Sequence, residues 1–369
     1  MIIKRSQCVI CDNDIVLKKT INNIPIHMGV KTGSGEDITL NQHWGECVNC
    51  GCVQLMNLVS PAVLYSVNHN PGSQGDLWKE HHQAFAEFIL NNKPKAIFEI
   101  GGSNGNLASI IVNHIGDSNY SIVDPAASVA NNAIKIYNTL FEDYQDEITG
   151  SVVHSHTVEH VLNPKEFLCK IFNLMPDNGE MYMSFPNMKH GLVSNGASTL
   201  CFEHTYYIDL QQFKYLLEET GFEIKEQIDF KLHSHFLQVI KNKNRKRQYQ
   251  ELKKDFNQIS AFDTMWESNQ RFVDNVLLDL DNTPTYIFGA HIFSQSLIAL
   301  GLKHESIKGI IDDDSSKIGG VLYGSDLVVY PCTHLANVQD VNVVLRAGPY
   351  QDELRSRLLN LNSKARIFE

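Results

Sequence analysis

The chain has 369 residues, 43% hydrophobic and 20% charged, which predicts two or three domains of ordinary globular composition. Its formal charge of −11 argues against a protein that lives on a phosphate backbone, so nucleic acid is not an expected partner. No apolar run is long enough to span a bilayer, and "MIIKRSQCVICD" lacks the apolar core and cleavage site of a signal peptide, so a cytoplasmic location away from membranes is expected.

In chain order the first signal is a pair of pairs, Cys8-Val-Ile-Cys11 and Cys47-Val-Asn-Cys50-Gly51. In a reducing compartment these are not expected to be disulfides. Two C-x2-C turns supply four thiolates for a tetrahedral zinc ion, and Gly51 suits a turn with positive φ. All four positions come from protein, so the zinc is expected to be structural, and roughly the first 60 residues hold too little apolar material to fold without it. Free thiols are the competing reading, and Cys52 and His43 stand close enough in sequence to substitute as a fourth ligand.

From residue 78, "LWKEHHQAFAEFILNN" has apolar residues at helical spacing. The segment "AIFEIGGSNGNLASIIVNHI" then reads as a strand carrying Glu99, a turn through Gly101, Gly102, Ser103, Asn104 and Gly105, and a helix. Small residues at such a turn let the backbone approach a nucleotide at a helix N-terminus. The G-x-G-x-x-G dinucleotide fingerprint is absent. The next strand, "YSIVDP", ends in Asp124-Pro125, 25 residues after Glu99, where a carboxylate can accept both ribose hydroxyls of adenosine.

Further on, "GSVVHSHTVEHVLNPKEFLCKIFNLMPDNGEMYMSFPN" reads as strand, loop, helix, turn, strand, with Asn163-Pro164 capping the helix. His154 and His156, two apart on a strand, point the same way, so a metal site with His160 is geometrically possible. The stretch "STLCFEHTYYIDL" holds the adjacent pair Glu203-His204, either a general base with its orienting acid or a polar pair at a helix start. "GFEIKEQIDF" and "HSHFLQVIKN" read as a closing antiparallel pair.

The basic run "KNKNRKRQYQELKK" at 241–254 reads as a solvated helical linker, with a nucleic-acid patch as the alternative. After it, "PTYIFGAHIFSQSLIALGL" is again strand, glycine turn and helix. The turn Phe288-Gly289-Ala290-His291 presents amides to an anion such as a diphosphate, and "VNVVLRAGPY" places Arg346 at a strand end. The run Asp312-Asp313-Asp314 is either a strand-to-loop transition or a metal-binding cluster.

Several of these segments carry a resemblance. The Glu99–Gly105 loop resembles the E-x-G-x-x-x-G loop of class I S-adenosylmethionine (SAM) dependent methyltransferases, and Glu159-His160-Val161 followed by Pro164 and "MPDNGEMYMSFPN" is similar to a later motif of the same fold. "CVNCGCVQLMNLVSPAVLY" and "GSNGN" resemble segments of the nucleotide-sugar C-methyltransferases, which act on 4-keto-6-deoxy sugars. That family's Y-H-E-H-x-x-Y-F signature is matched here by Glu203, His204 and Tyr207, whereas Cys201 and Phe202 depart from it.

The resemblance implies an α/β chain. Residues 1–65 would be a zinc-binding module and 66–243 a doubly wound class I SAM-methyltransferase domain, followed by a helical linker (244–280) and a Rossmann-like domain (281–369). It implies that Glu99, Gly101, Gly102, Ser103, Asn104, Asp124, Pro125, His156 and Thr157 hold SAM and that Cys8, Cys11, Cys47 and Cys50 hold zinc. His204 would be the base, Glu203 its orienting acid and Tyr207 a donor to a C4 oxyanion, with Tyr65, His69, His291 and Arg346 facing a nucleotide-linked sugar. Oxygen or nitrogen methylation of a related sugar is the alternative, and a zinc- and nucleotide-binding scaffold without catalysis is the alternative of another class. Oligomeric state is left open.

Overall fold

The computed structural model describes residues 2–31, 36–65, 75–194, 200–242, 252, 254, 256–348 and 351–369. Its first elements are β1 (Ile2–Lys4), β2 (Ile15–Pro25), β3 (Thr39–Cys47), β4 (Val53–Leu55), β5 (Asn57–Val59) and the short helix α1 (Pro61–Leu64). β2, β3 and β4 form an antiparallel sheet, and β1 pairs with β5.

The central part opens with α2 (Asp76–Leu90), whose Phe85, Ala86, Phe88 and Ile89 are buried at the helical spacing that the sequence shows. It continues through β6 (Ile97–Ile100), α3 (Asn106–Ile115), β7 (Tyr120–Val123), β8 (Lys135–Tyr137), β9 (Ser151–Ser155), α4 (Pro164–Leu174), β10 (Glu180–Pro186), α5 (Met188–Val193), α6 (Leu210–Glu219), β11 (Phe222–Phe230) and β12 (Ser234–Lys241). Asn163 caps α4 by accepting from the Glu166 N–H at 3.2 Å, with Pro164 next to it as expected.

These strands make one sheet in the order β8-β7-β6-β9-β10-β12-β11. All neighbours pair parallel except at β12, which runs antiparallel to both β10 and β11. β6 reads Ile-Phe-Glu-Ile and is buried at every residue, as a central parallel strand covered on both faces must be. Chain order reverses between β6 and β9, which opens a crevice at their C-terminal ends where doubly wound sheets take ligands.

The long helix α7 (Gln258–Asp279) leads into β13 (Thr285–Phe288), α8 (Ile292–Ala299), β14 (Ile307–Asp312), β15 (Val329–Pro331), β16 (Asn342–Val344), α9 (Gln351–Leu361) and β17 (Arg366–Phe368). The second sheet, β15-β14-β13-β16-β17, is parallel throughout. The acid run at 312–314 serves the loops. Asp312 accepts from the N–H groups of Ala290 at 2.7 Å and Asp314 at 2.9 Å, and Asp313 pairs with Arg357. Most of the basic run 241–254 lies outside the described residues, and Lys254 pairs with Glu46 at 3.5 Å.

The first 65 residues share their cores with the later parts of the chain. One apolar cluster joins Cys8, Cys47 and Cys50 to Phe98, Phe167, Phe213 and Leu237, and a second joins Trp44, Val53 and Leu55 to Phe202, Tyr207 and Phe262. The loop after β2 reaches the second sheet. There Gly29 donates to Gln295 Oε1 at 3.1 Å, Lys31 donates to the Val321 carbonyl at 2.8 Å, and the Tyr323 N–H donates to the Gly29 carbonyl at 2.8 Å. No helix among the described residues is long and apolar enough to cross a membrane.

Candidate active site

The turn after β6 sits at the crevice. Gly101 has φ +78°, and a Cβ there would come within 2.6 Å of Thr157 Oγ1, so only glycine lets Thr157 lie against the loop. A Cβ on Gly102 would meet the Glu99 carboxylate at 2.9 Å. Asp124 accepts from the N–H of Ser103 at 2.9 Å and of Ala126 at 2.7 Å, which fixes the loop to the end of β7. Glu99 is fully buried and accepts from Tyr120 Oη at 2.9 Å; burial pushes its carboxyl up to about 7 despite that bond. Glu99, the glycine turn, Asp124 and Thr157, expected at one nucleotide pocket, are thus brought together. His156, with φ +50°, turns away from the strand alternation that would have aligned it with His154. His154 is buried beside Phe167 instead, so among the described residues the metal grouping of His154 with His156 and His160 that the spacing allowed does not form.

The segment carrying Glu203-His204 is joined to β4 by an isolated antiparallel bridge between Tyr206 and Gln54. The Leu55 N–H donates to the Thr205 carbonyl and the Tyr207 N–H to the Val53 carbonyl, both at 2.9 Å. Arg5, almost fully buried, donates from Nη1 to the Thr205 carbonyl at 2.9 Å and from Nη2 to the Leu162 carbonyl at 2.6 Å. Burial brings its guanidinium down to about 10. Arg5 therefore ties together two segments distant in sequence, 158–162 and 201–207. Cys201, at the first departure from the expected signature, is a turn former, since its buried Sγ accepts from the His204 N–H at 3.4 Å.

Between those segments lies a histidine pair. The rings of His160 and His204 are 4.8 Å apart at 68°, and a carboxylate oxygen of Glu159 completes a group whose ligand atoms all lie within 4.8 Å. Glu203 contacts His160 Nδ1 at 3.5 Å, so the acid expected to orient His204 reaches its neighbour. Burial, with His160 alongside, pushes His204 down to about 4. Burial also works against a charge on His160, but Glu203 and Glu159 outweigh it and the pKa rises. Glu159 is buried; its contacts with His156 (3.1 Å) and the nearby histidines overcome the burial and hold it down at about 2. The two adjacent imidazoles are thus biased apart, His204 to the neutral form and His160 to the charged one.

Tyr207 is placed differently from expectation. Its ring is buried between Trp44 and Phe262, at 5.2 and 5.7 Å, because pairing with β4 turns it into that core. Tyr65, at the end of α1, stays near the site: burial, with Glu203 and Cys201 beside it, raises its phenol well above the usual value. His69 lies outside the described residues. Arg346 is turned onto α7, where it donates to Asn269 Oδ1 at 3.3 Å and Ser268 Oγ at 3.4 Å and lies over Phe272. His291 begins α8 and stands 4.0 Å from where a Cβ on Gly29 would be. Sequence reading missed Arg5 altogether and gave Glu159 and His160 no role in catalysis, although both belong to the H-x-x-E-H run that begins at His156.

The four cysteines Cys8, Cys11, Cys47 and Cys50 bring their sulfurs within 4.8 Å of one another. Cys8–Cys50 and Cys11–Cys47 are each 3.5 Å apart. Backbone N–H groups of Ile10, Asn49 and Cys50 point at the sulfurs, as they do around thiolates held on a metal. The donor set and spacing fit a zinc ion. Cys52 is outside the group and donates toward the Val53 and Tyr207 carbonyls, each at 3.8 Å.

Residues 74–227 match a family model described as a methyltransferase domain. No curated protein sequence matches the chain. Among solved structures it is similar to magnesium protoporphyrin IX methyltransferase from Synechocystis, described with bound SAH, at 13% identity over 49% of this chain and 92% of that one, TM-score 0.37. It is also similar to an N-methyltransferase from Bradyrhizobium japonicum, at 9% identity over 45% of this chain and 97% of that one, TM-score 0.36. Residues 74–227 are thus a methyltransferase domain, and the central sheet that they build is the mainly parallel α/β sheet of the class I SAM-methyltransferase fold.

Proposed function

We propose that this methyltransferase acts on a nucleotide-linked keto sugar and places the methyl group on carbon, with His204 as the general base. The observation that carries the reading is the His160–His204 pair, with one pKa lowered to about 4 and the other raised. At neutral pH His204 is unprotonated and can accept a proton, while Glu203 and Glu159 favour the charged form of His160. SAM, when bound at the Gly101–Asp124 turn, supplies an electrophilic methyl carbon and keeps the S–CH3 electron pair on sulfur as that bond breaks.

The chain's residues do the rest. His204 takes the proton from the carbon beside the ketone, and that C–H electron pair becomes the enolate. Protonated His160 faces the developing oxyanion, the part first expected of Tyr207, and Tyr65 is a second donor. The nucleophilic carbon then forms the C–CH3 bond, and the proton on His204 leaves to solvent. In this reading zinc on Cys8, Cys11, Cys47 and Cys50 is structural and has no vacant position, residues 1–65 form a module that braces the site, and the 281–369 unit meets the nucleotide near His291.

One observation favours a second reading. With Tyr207 packed and Cys201 serving as a turn former, the expected tyrosine donors are missing, and an oxygen or nitrogen acceptor needs only the base. The deciding experiment uses methyl-labelled SAM with a panel of nucleotide-linked 4-keto and reduced sugars, followed by NMR. A methyl on a ring carbon of a keto sugar supports the enolate route. A methyl on oxygen or nitrogen sinks it in favour of the second reading, and no transfer to any sugar removes the substrate class.

A further inference from the structure

Next to the reacting pair is a second histidine group, in which His156, first expected to hold SAM, has its ring nitrogens on Glu159 and Ser234. His81 of α2, His156 after β9 and His233 in the turn between β11 and β12 each bring one ring nitrogen within 4.8 Å of the others. Their environment differs from ordinary aromatic packing in three ways. His81 is fully buried; its Nε2 lies 2.8 Å from Ser184 Oγ, and its Nδ1 has no hydrogen-bond partner among the described residues. His156 Nδ1 faces Glu159 at 3.1 Å, and a carboxylate behind an imidazole is how metal-binding histidines are oriented and made more basic. Ser234 Oγ is shared, 2.8 Å from His156 Nε2 and 2.6 Å from His233 Nδ1, and its single proton can serve only one of them. Trp78 walls the group, with ring centroids 4.7 Å from His156 and 4.8 Å from His233.

We propose that His81, His156 and His233 form a three-histidine site for a borderline divalent cation such as Zn2+, Co2+ or Ni2+, separate from the four-cysteine cluster. Neutral imidazoles suit these ions, and three protein ligands leave a fourth position for water or an oxygen ligand. Binding draws His156 Nε2 away from Ser234, whose hydroxyl then serves His233 Nδ1 alone. Because Glu159 faces His156 on one side and the His160–His204 pair on the other, the cation is coupled to the reaction site through one carboxylate. The site stands whatever the acceptor is.

The test is made on the full chain, stripped of metal and titrated with Co2+ alone, with bound metal counted and the visible spectrum followed. Cobalt on the cysteines gives intense sulfur-to-metal bands. The three-histidine site is expected to add about one further equivalent with weak visible bands and no sulfur contribution. His233→Ala and His81→Gln should each weaken that second component by at least about tenfold and leave the sulfur bands unchanged. His233 is partly exposed, so its variant decides the matter if the His81 variant does not fold. Ser234→Ala should retain the second component, since it removes only a competitor for His156. The proposal is overturned if no sulfur-free component appears, if that component survives both histidine substitutions, or if Ser234→Ala abolishes it.

Discussion

The buried guanidinium of Arg5 donates to the Thr205 carbonyl at 2.9 Å and to the Leu162 carbonyl at 2.6 Å, so one side chain spans the two segments that carry His204 and His160. The distance between the proposed base and acid is therefore set from outside the methyltransferase sheet, by a residue on the strand-rich N-terminal part.

Replacing Arg5 with alanine leaves buried carbonyls without a donor, a cost of about 1–3 kcal/mol each, and lets the two segments part. Turnover is expected to fall at least about tenfold, with SAM affinity nearly unchanged because the Gly101–Asp124 turn is elsewhere. Calorimetric SAM titration beside initial rates separates the two effects. Equal losses in both would place Arg5 in general stability.

The His160–His204 assignment fixes the shape of the pH–rate profile. His204 must be neutral, so activity is lost as pH falls through about 4, well below the ~6.5 of a free imidazole. His160 must be charged, so activity is lost again as pH rises through its raised pKa. His204→Asn should cost about 10²–10⁴ in turnover while SAM still binds, and His160→Gln should lower turnover by about 10²–10³ and remove the alkaline limb while leaving the acid one. An acid limb near 6.5 in the wild-type enzyme would contradict the pairing.

Glu99 predicts a different pH effect. Its carboxyl is neutral below about 7, and a cationic ligand at the adjacent turn favours the ionised form. SAM affinity should therefore rise between pH 6 and 8, with a proton released on binding, by linkage. Titration in buffers of different ionisation enthalpy measures that proton directly. Affinity that stays flat across this range, with no proton released, rules out Glu99 as a SAM contact.

The cysteine cluster is linked to the site through Gln54, which donates to Cys8 Sγ at 3.3 Å and lies on β4, the strand that holds Thr205 and Tyr207. Cys11→Ser, at the most exposed of the four sulfurs, should lower zinc content and reduce turnover more than it reduces SAM binding. Full turnover in a zinc-free variant would detach the cluster from catalysis.

Local features were legible in the sequence. A strand, a glycine turn and a helix follow one another in both α/β parts, and Asn163-Pro164 marks a helix start by chemistry confined to four residues. Glu203 and His204 were recognisable as reactive, but their partnership was not. The turn closed by Cys201 brings both residues against His160, a residue of another segment, and Glu203 reaches its Nδ1. Tyr207 was misplaced for a related reason, since pairing with β4 decides which way it faces. Arg5 offers no local signal at all, being 200 residues from the carbonyl it serves.

The loop after β2 has a consequence for synthesis. Gly29 must wait for Gln295, a partner 266 residues later, and closing a loop of that length costs roughly 5 kcal/mol of chain entropy. As the nascent chain leaves the ribosome, the cysteine turns can form early while the hairpin tip stays uncovered until the second parallel sheet has emerged. The contact that anchors Gly29 is thus among the last to form, and a chain stalled before Gln295 would present that stretch to quality control.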